Sequence, residues 1–302
     1  MCKNVNILKK IEVISIMCIA IAFTHCTEPM DINLNSIDKK VVIYGTITTD
    51  TCAQCISITQ SADYYDNSTP TPISNATVFI SDGQNAYPLT ESVNEPGKYY
   101  TDANFHGETG TTYTLTASNV MLDYFTEPQT YSATATIPSL PDNYQTYYVD
   151  SIKVEYNSNW EGWEVNCWAN EPSDQNDYYM FRVYINDVLY SDSIENLVLS
   201  DDKLINGSST GGATLYFISE PDTLKVGDKV TLDLCILDKD YYLFLVEAQT
   251  SIQPQIPLFS GPSANVRTNI SNDALGFFGA FAIIKTSYIM RPEDIQKKND
   301  SR

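Results

Sequence analysis

Apolar and polar side chains alternate along the run Tyr131-Ser132-Ala133-Thr134-Ala135-Thr136-Ile137, and Pro138 follows it. A repeat of two residues puts successive side chains on opposite faces of an extended chain, so this run predicts a half-buried β-strand. Similar short runs recur from Val41–Ile47 to Phe278–Ile284, with turn residues such as Ser81-Asp82-Gly83 between them. The sequence therefore predicts an all-β fold.

The strand-like runs fall into two groups, which predict two β-sandwich modules. Residues 40–138 contain six or seven short strands without a sustained helical period, as is typical of an immunoglobulin-like or transthyretin-like sandwich. A second β domain is expected over residues 139–290, beginning at Ser139-Leu140-Pro141-Asp142.

The second domain is expected to contain one short helix, between residues 240 and 251. Apolar side chains lie there at i, i+3, i+4 and i+7, which are Tyr241, Phe244, Leu245 and Ala248. The charged residues 291–302 are expected to form a flexible tail.

The first 25 residues have the pattern of an export signal. Lys3, Lys9 and Lys10 precede the apolar run Val13–Phe23, which at 11 residues is too short to span a bilayer as a helix. The chain turns polar directly after Cys26, as in bacterial lipoproteins, where such a cysteine is linked to diacylglycerol. We expect Cys26 to be the lipid anchor and residues 26–39 to be a tether; an ordinary signal peptide is the alternative.

Composition excludes several classes of function. The chain has 18 basic and 38 acidic residues, a formal charge of −20, which argues against nucleic acid as a partner. Once residues 1–25 are removed, His106 is the only histidine, and its Gly-containing surroundings predict an exposed turn. Acidic pairs such as Asp201-Asp202 lack the spacing of a calcium loop and are expected to be solvated. We therefore expect a non-enzymatic protein without a metal or another cofactor.

Four cysteines beyond Cys26 raise the question of disulfides. Cys52 and Cys55 lie between two predicted strands, and export favours a local disulfide there over a metal or redox site, with free thiols as a further alternative. Because side chains alternate between the two faces of a strand, Cys167 is expected on the same face as Trp163 and Val165. Cys235 is expected on the face opposite to that of Leu234. We expect Cys167 and Cys235 to be unpaired.

The C-terminal part of the chain carries a resemblance to a known family. The blocks Pro257–Pro262, Asn265–Ile270 and Ala274–Gly279 resemble the signature of the Bacteroidota lipoprotein family called domain of unknown function 4249, and Val41–Gly45 with Gly97-Lys98-Tyr99 resembles its N-terminal pattern. The resemblance covers about residues 26–290. The signature residues are Pro257, Phe259, Pro262, Asn265, Asn269, Gly276, Phe277 and Gly279.

The signature block from Pro257 to Gly279 is expected to be a rigid loop packed against the second module. Its prolines and glycines permit unusual backbone angles, and its apolar side chains, Leu258, Phe259, Leu275, Phe277 and Phe278, would anchor it. The asparagines would satisfy loop backbone groups. The alternative is that this loop docks on a partner.

The family resemblance implies export, lipid anchoring and association with TonB-dependent outer-membrane transporters, and it implies no catalytic residue. We therefore expect a lipoprotein anchored in the outer membrane through Cys26 and facing the cell exterior. It would act as an accessory or ligand-binding partner of a TonB-dependent nutrient transporter. The alternative is a structural or adhesive lipoprotein that displays its sandwich domains.

Overall fold

The alternating run before Pro138 forms the strand Gln129–Thr136, in which buried and exposed side chains alternate from Tyr131 onward. The structure is a computed structural model, and it describes residues 39–62, 69–173, 176–191, 193–219, 223–252 and 266–300. The strands of these residues are β1 (Val41–Thr48), β2 (Cys55–Gln60), β3 (Thr77–Ser81), β4 (Ala86–Pro88), β5 (Thr90–Glu91), β6 (Lys98–Tyr100), β7 (Thr112–Val120), β8 (Gln129–Thr136), β9 (Val149–Asn157), β10 (Gly162–Ala169), β11 (Tyr178–Ile185), β12 (Val188–Leu189), β13 (Val198–Asp201), β14 (Ala213–Ile218), β15 (Lys229–Leu237) and β16 (Leu275–Ile289). The prediction of an all-β fold is confirmed.

The strands form one large sheet and two small ones. The large sheet has the order β12-β11-β15-β16-β1-β2-β6-β5, with β13 also paired to β11. A four-stranded sheet has the order β4-β3-β7-β8, and a three-stranded sheet the order β14-β10-β9. Within the large sheet, β1 and β16 run parallel, with Gly45 opposite Phe278.

Both small sheets pack against the same face of the large sheet, and each encloses a core. The first core lies under the four-stranded sheet and includes Ile43, Ile56 and Leu115. The second lies under the three-stranded sheet and includes Trp163 and Phe181. Strand β16 serves both cores, because Phe278, Ala280 and Ala282 face the first and Ile284 faces the second.

The expectation of two separate sandwich modules therefore needs correction. The predicted boundary at residues 139–142 does lie between the two small sheets, but the large sheet runs across it without a break. Strand β16, from the predicted second domain, hydrogen-bonds to β1 of the predicted first domain. The reason is that β2 pairs with only one side of β1. Without β16, the backbone N–H and C=O groups on the other side of β1 would form an unpaired sheet edge.

The other face of the large sheet is covered in part by helix α1 (Lys239–Ile252), as predicted. Asp238 caps it, since its carboxylate accepts the N–H of Tyr241 at 2.9 Å. Tyr241, Phe244 and Leu245 pack on the sheet with Phe277 and Phe281. None of the helices in the described part of the chain is long and apolar enough to cross a membrane.

The expectation of a flexible tail is wrong for most of its length, because helix α2 (Pro292–Asp300) forms there. Proline suits the first helical position, and the Asp294 carboxylate accepts the N–H of Arg291 at 2.9 Å. The helix is held to the second core: Ile295 packs against it, and the Lys298 ammonium lies 5.8 Å from the centre of the Trp163 ring. The sequence of a short charged segment does not predict its contacts with a distant core.

Candidate functional site

Several of the predicted site residues lie outside the described residues. These are the proposed anchor Cys26 and four positions of the signature block, Pro257, Phe259, Pro262 and Asn265. The others, Cys52, Cys55, Asn269, Gly276, Phe277 and Gly279, can be placed.

Cys52 and Cys55 are free thiols, so the predicted disulfide between them is absent. Buried Gln54 lies between them in the chain, and its amide donates to the Cys52 sulfur at 3.3 Å and to the Asp50 carbonyl at 3.1 Å. Cys55 begins β2 opposite Tyr100, which lies within hydrogen-bonding reach of its thiol. Each sulfur therefore has its own partner. Burial raises the pKa of the Cys55 thiol, which disfavours the reactive thiolate.

Cys167 and Cys235 are also free, as predicted from strand parity. Cys167 is buried in the second core, while Cys235 is buried beneath α1 on the opposite face of the large sheet. Burial raises the pKa of both thiols.

The signature block is not a loop throughout. Gly276, Phe277 and Gly279 belong to β16, a 15-residue strand that pairs with β1 on one side and β15 on the other. Phe277 is 2% exposed and stacks on Phe244 with 4.8 Å between ring centres. Pairing with Val42 of β1, which lies 233 positions earlier in the chain, extends the strand back to Leu275, and the local sequence could not predict this.

Asn269 has the backbone-binding role that was expected of it. Its carboxamide accepts the N–H of Phe278 at 2.9 Å and donates to the Phe278 carbonyl at 2.8 Å, as a neighbouring strand would. The same amide also donates to the Thr134 carbonyl of β8 at 3.0 Å. Asn269 thus connects the four-stranded sheet to β16, so the described part of the block has a structural role.

A cavity of about 230 Å³ lies above the large sheet, beside α1. Its floor is formed by Met180 and Arg182 of β11 and by Phe281 of β16. Tyr241 and Leu245 of α1 form one wall, and the other is formed by Leu189, Ser191, Ser193, Ile194 and Leu197. The two walls are joined by Gln249, whose amide donates to the carbonyls of Ile194 and Leu197 at 2.8 Å each. We call this cavity the Arg182 pocket.

A buried ion pair underlies the Arg182 pocket. Arg182 Nη2 donates to Asp233 Oδ2 at 2.9 Å, between residues that are directly paired in β11 and β15. The Asp233 side chain is 1% exposed and that of Arg182 is 20% exposed, so the pocket meets the positive partner. Arg182 Nε and Asp233 Oδ1 are buried and have no hydrogen-bond partner among the described residues.

Sequence reasoning missed this pair, although a signal was present. Arg182 interrupts the apolar run Tyr178–Ile185, and Asp233 interrupts the run Val230–Ile236. Opposite charges in two otherwise apolar strands indicate a buried pair, because an unpaired charge there would be costly. Strand order alone decides that these two residues meet.

A second group of buried charges lies where β11 begins. Glu171, Asp177 and Asp202 are 9%, 5% and 1% exposed, so the expectation of a solvated Asp202 is wrong. The backbone brings them together: the Glu171 N–H donates to Ser208 O, and the Asp202 N–H donates to Asp177 O. Burial, together with charge repulsion from Asp177 and Asp202, raises the pKa of Glu171 to about 7, although the hydrogen bond from Tyr179 lowers it.

A polar groove of about 590 Å³ at one end of the first sandwich is less suited to binding. His106 is exposed there, as predicted. The Asp82 carboxylate, one of two carboxylates that line it, already binds the N–H groups of Gln84 and Asn85 and the hydroxyl of Tyr87 at 2.6–2.8 Å. These bonds hold the pKa of Asp82 well below its ordinary range. The carboxylate therefore supports its own turn.

Within the described ranges, no group of three or more histidine, cysteine, aspartate or glutamate side chains is placed to hold a metal ion. The fold and its cavities define an all-β sandwich protein with a small pocket on the outer face of a shared sheet. The chain matches the family described as domain of unknown function (DUF4249) over residues 27–287, and it belongs to that family. The family predicted from the signature block is thus confirmed. A search of curated proteins found no match.

Proposed function

We propose that this protein is a lipid-anchored ligand-binding lipoprotein of the outer membrane, facing the cell exterior. In this role it is a non-enzymatic accessory of a TonB-dependent nutrient transporter. The observation that carries the proposal is the Arg182 pocket, a cavity with one charged group on its floor and walls joined by Gln249. A preformed concave cavity that combines apolar surface with placed polar groups is the usual form of a small-molecule site.

Two further observations support the proposal. The pattern of residues 1–26 is that of a lipoprotein export signal, and the match to the family begins at residue 27, directly after Cys26. The resemblance to this family implies lipid anchoring and association with TonB-dependent transporters. The strong negative charge of the chain suits a soluble domain held in front of a membrane protein.

Anchoring is tested by the substitution Cys26→Ala. Two or more acyl chains hold a protein stably on a membrane, since each buried CH₂ contributes about 0.8 kcal/mol. We expect the variant to leave the membrane fraction and to lose palmitate labelling, whereas Cys18→Ala, in the apolar signal run, is the matched control and stays anchored. A Cys26→Ala protein that still labels and still sediments with membranes would refute the anchor.

The partnership is tested by purifying the wild-type protein from detergent-solubilised outer membrane and identifying what accompanies it by mass spectrometry. We expect a β-barrel transporter. An anchored protein that brings down no barrel, and whose loss leaves nutrient uptake unchanged, would instead favour the structural or adhesive alternative.

A further inference from the structure

We infer that the Arg182 pocket binds a small monocarboxylate that has an apolar body. This inference rests on the proposed function and deepens it by naming the ligand class. It depends on three properties of the pocket: the charge on its floor, the four aliphatic side chains of its walls (Leu189, Ile194, Leu197 and Leu245) and its volume.

The floor provides a positive charge with unused hydrogen-bonding capacity. Arg182 presents five N–H donors in a plane. Its bond to Asp233 uses one, the Nε–H is buried and Cys235 engages the guanidinium as well, so the remaining Nη–H groups are the ones available to a ligand. The guanidinium carbon lies 5.6 Å from the centre of the Phe281 ring and 5.8 Å from that of Tyr184, which holds the group in place between strands. A carboxylate is the anion that matches this planar fork.

The hydroxyl groups of two lining residues add a second donor. Tyr44 Oη and Tyr241 Oη lie 3.0 Å apart, and their mutual hydrogen bond uses one of two hydroxyl protons. The remaining proton can be donated to a ligand oxygen. A phosphate dianion would need more positive charge than one guanidinium, because Asp233 already balances part of it.

The walls and the volume select the rest of the ligand. Leu189, Ile194, Leu197 and Leu245 give the walls aliphatic surface beside the hydroxyl groups of Ser191 and Ser193, so the body of the ligand would contact these four side chains and be apolar there. A volume of about 230 Å³ is small, so it suits a carboxylate joined to a short aliphatic chain better than a large ligand.

The test titrates the purified, detergent-solubilised mature lipoprotein with 4-methylpentanoate and with its uncharged counterpart, 4-methylpentanamide, by calorimetry. We expect the carboxylate to saturate the protein and the amide to bind at least tenfold more weakly. Arg182→Met should weaken carboxylate binding by at least tenfold, since a charge-assisted bond is lost. Arg291→Met removes an exposed arginine and is the matched control, which should bind as the wild type does.

Because Arg182→Met leaves Asp233 buried without its partner, Leu189→Trp serves as an independent variant. It fills the cavity from a half-buried wall position and leaves the ion pair intact. We expect this variant to fold with an unchanged melting temperature and its affinity for 4-methylpentanoate to fall at least tenfold. Equal binding of acid and amide, wild-type affinity in Leu189→Trp, or no saturation by 4-methylpentanoate in the millimolar range would overturn the inference. None of these outcomes depends on Cys26 or on a transporter, so they are distinct from failure of the proposed function.

Discussion

Glu171 is buried with two other carboxylates, and only one of its oxygens is hydrogen-bonded within the described part of the chain. Tyr179 donates to Oε2 at 2.6 Å, while Oε1 has no partner there. Since its pKa rises from an ordinary 4.5 to about 7, the folded protein binds a proton that the unfolded chain releases between these values. The resulting stability is fully present below pH 4.5 and is lost as the pH rises through about 7.

We therefore expect the melting temperature of the wild type to fall between pH 5 and pH 8 relative to that of Glu171→Gln, which keeps the neutral shape at all pH values. The full difference would be on the order of 3 kcal/mol, or several degrees. Glu195→Gln removes an exposed carboxylate and should follow the wild-type profile. Parallel profiles for wild type and Glu171→Gln, measured by thermal denaturation at each pH, would show that Glu171 titrates normally.

At the scale of elements, the parallel contact between β1 and β16 depends on Gly276. This glycine has a φ of +94°, and a Cβ on it would lie 2.1 Å from the carbonyl oxygen of Ile43 in β1. Gly83 has a similar φ of +88°, but a Cβ there would meet nothing within 4 Å. An alanine at either position would therefore have a strained backbone, but only at position 276 would its Cβ also clash with the backbone of β1.

Gly276→Ala should therefore cost far more stability than Gly83→Ala. Placing alanine at positive φ costs about 1–2 kcal/mol, which both variants share. Gly276→Ala must also displace the backbone of β1, so we expect a total of roughly 4 kcal/mol or more. Urea denaturation of the two variants measures the difference, and equal midpoints would mean that the β1–β16 contact adapts without cost.

At the scale of the whole molecule, the shared sheet makes the two cores depend on each other. Ile270, Ala274, Phe278, Ala280 and Ala282 of the C-terminal segment are buried in the first core. A fragment of residues 39–142 would lose all of them and would expose the parallel edge of β1.

We expect this fragment not to fold by itself, and we expect the intact protein to unfold in one cooperative transition. Calorimetry of the intact protein and circular dichroism of the fragment measure the two outcomes. Co-expression with residues 143–302 is the control, since it restores the missing strand and should recover a soluble complex. A cooperative melting transition of the isolated fragment would show that the first sandwich is autonomous.

Features encoded by neighbouring residues could be predicted from the sequence. The period-two runs marked the main strands, with ends shifted by a few residues, because alternation along a strand is a local property. The spacing of Tyr241, Phe244 and Leu245 located helix α1 for the same reason. The family was recognisable because its signature residues are close together in the chain.

The tertiary structure alone decided what distant segments do together. Val42 and Leu275 pair although 233 residues separate them, and this pairing merges two predicted modules into one sheet. Arg182 meets Asp233 only because β15 lies next to β11, and helix α2 forms where its side chains contact the second core. Strand order and docking are set by the burial of many side chains at once, and no local pattern in the sequence contains that information.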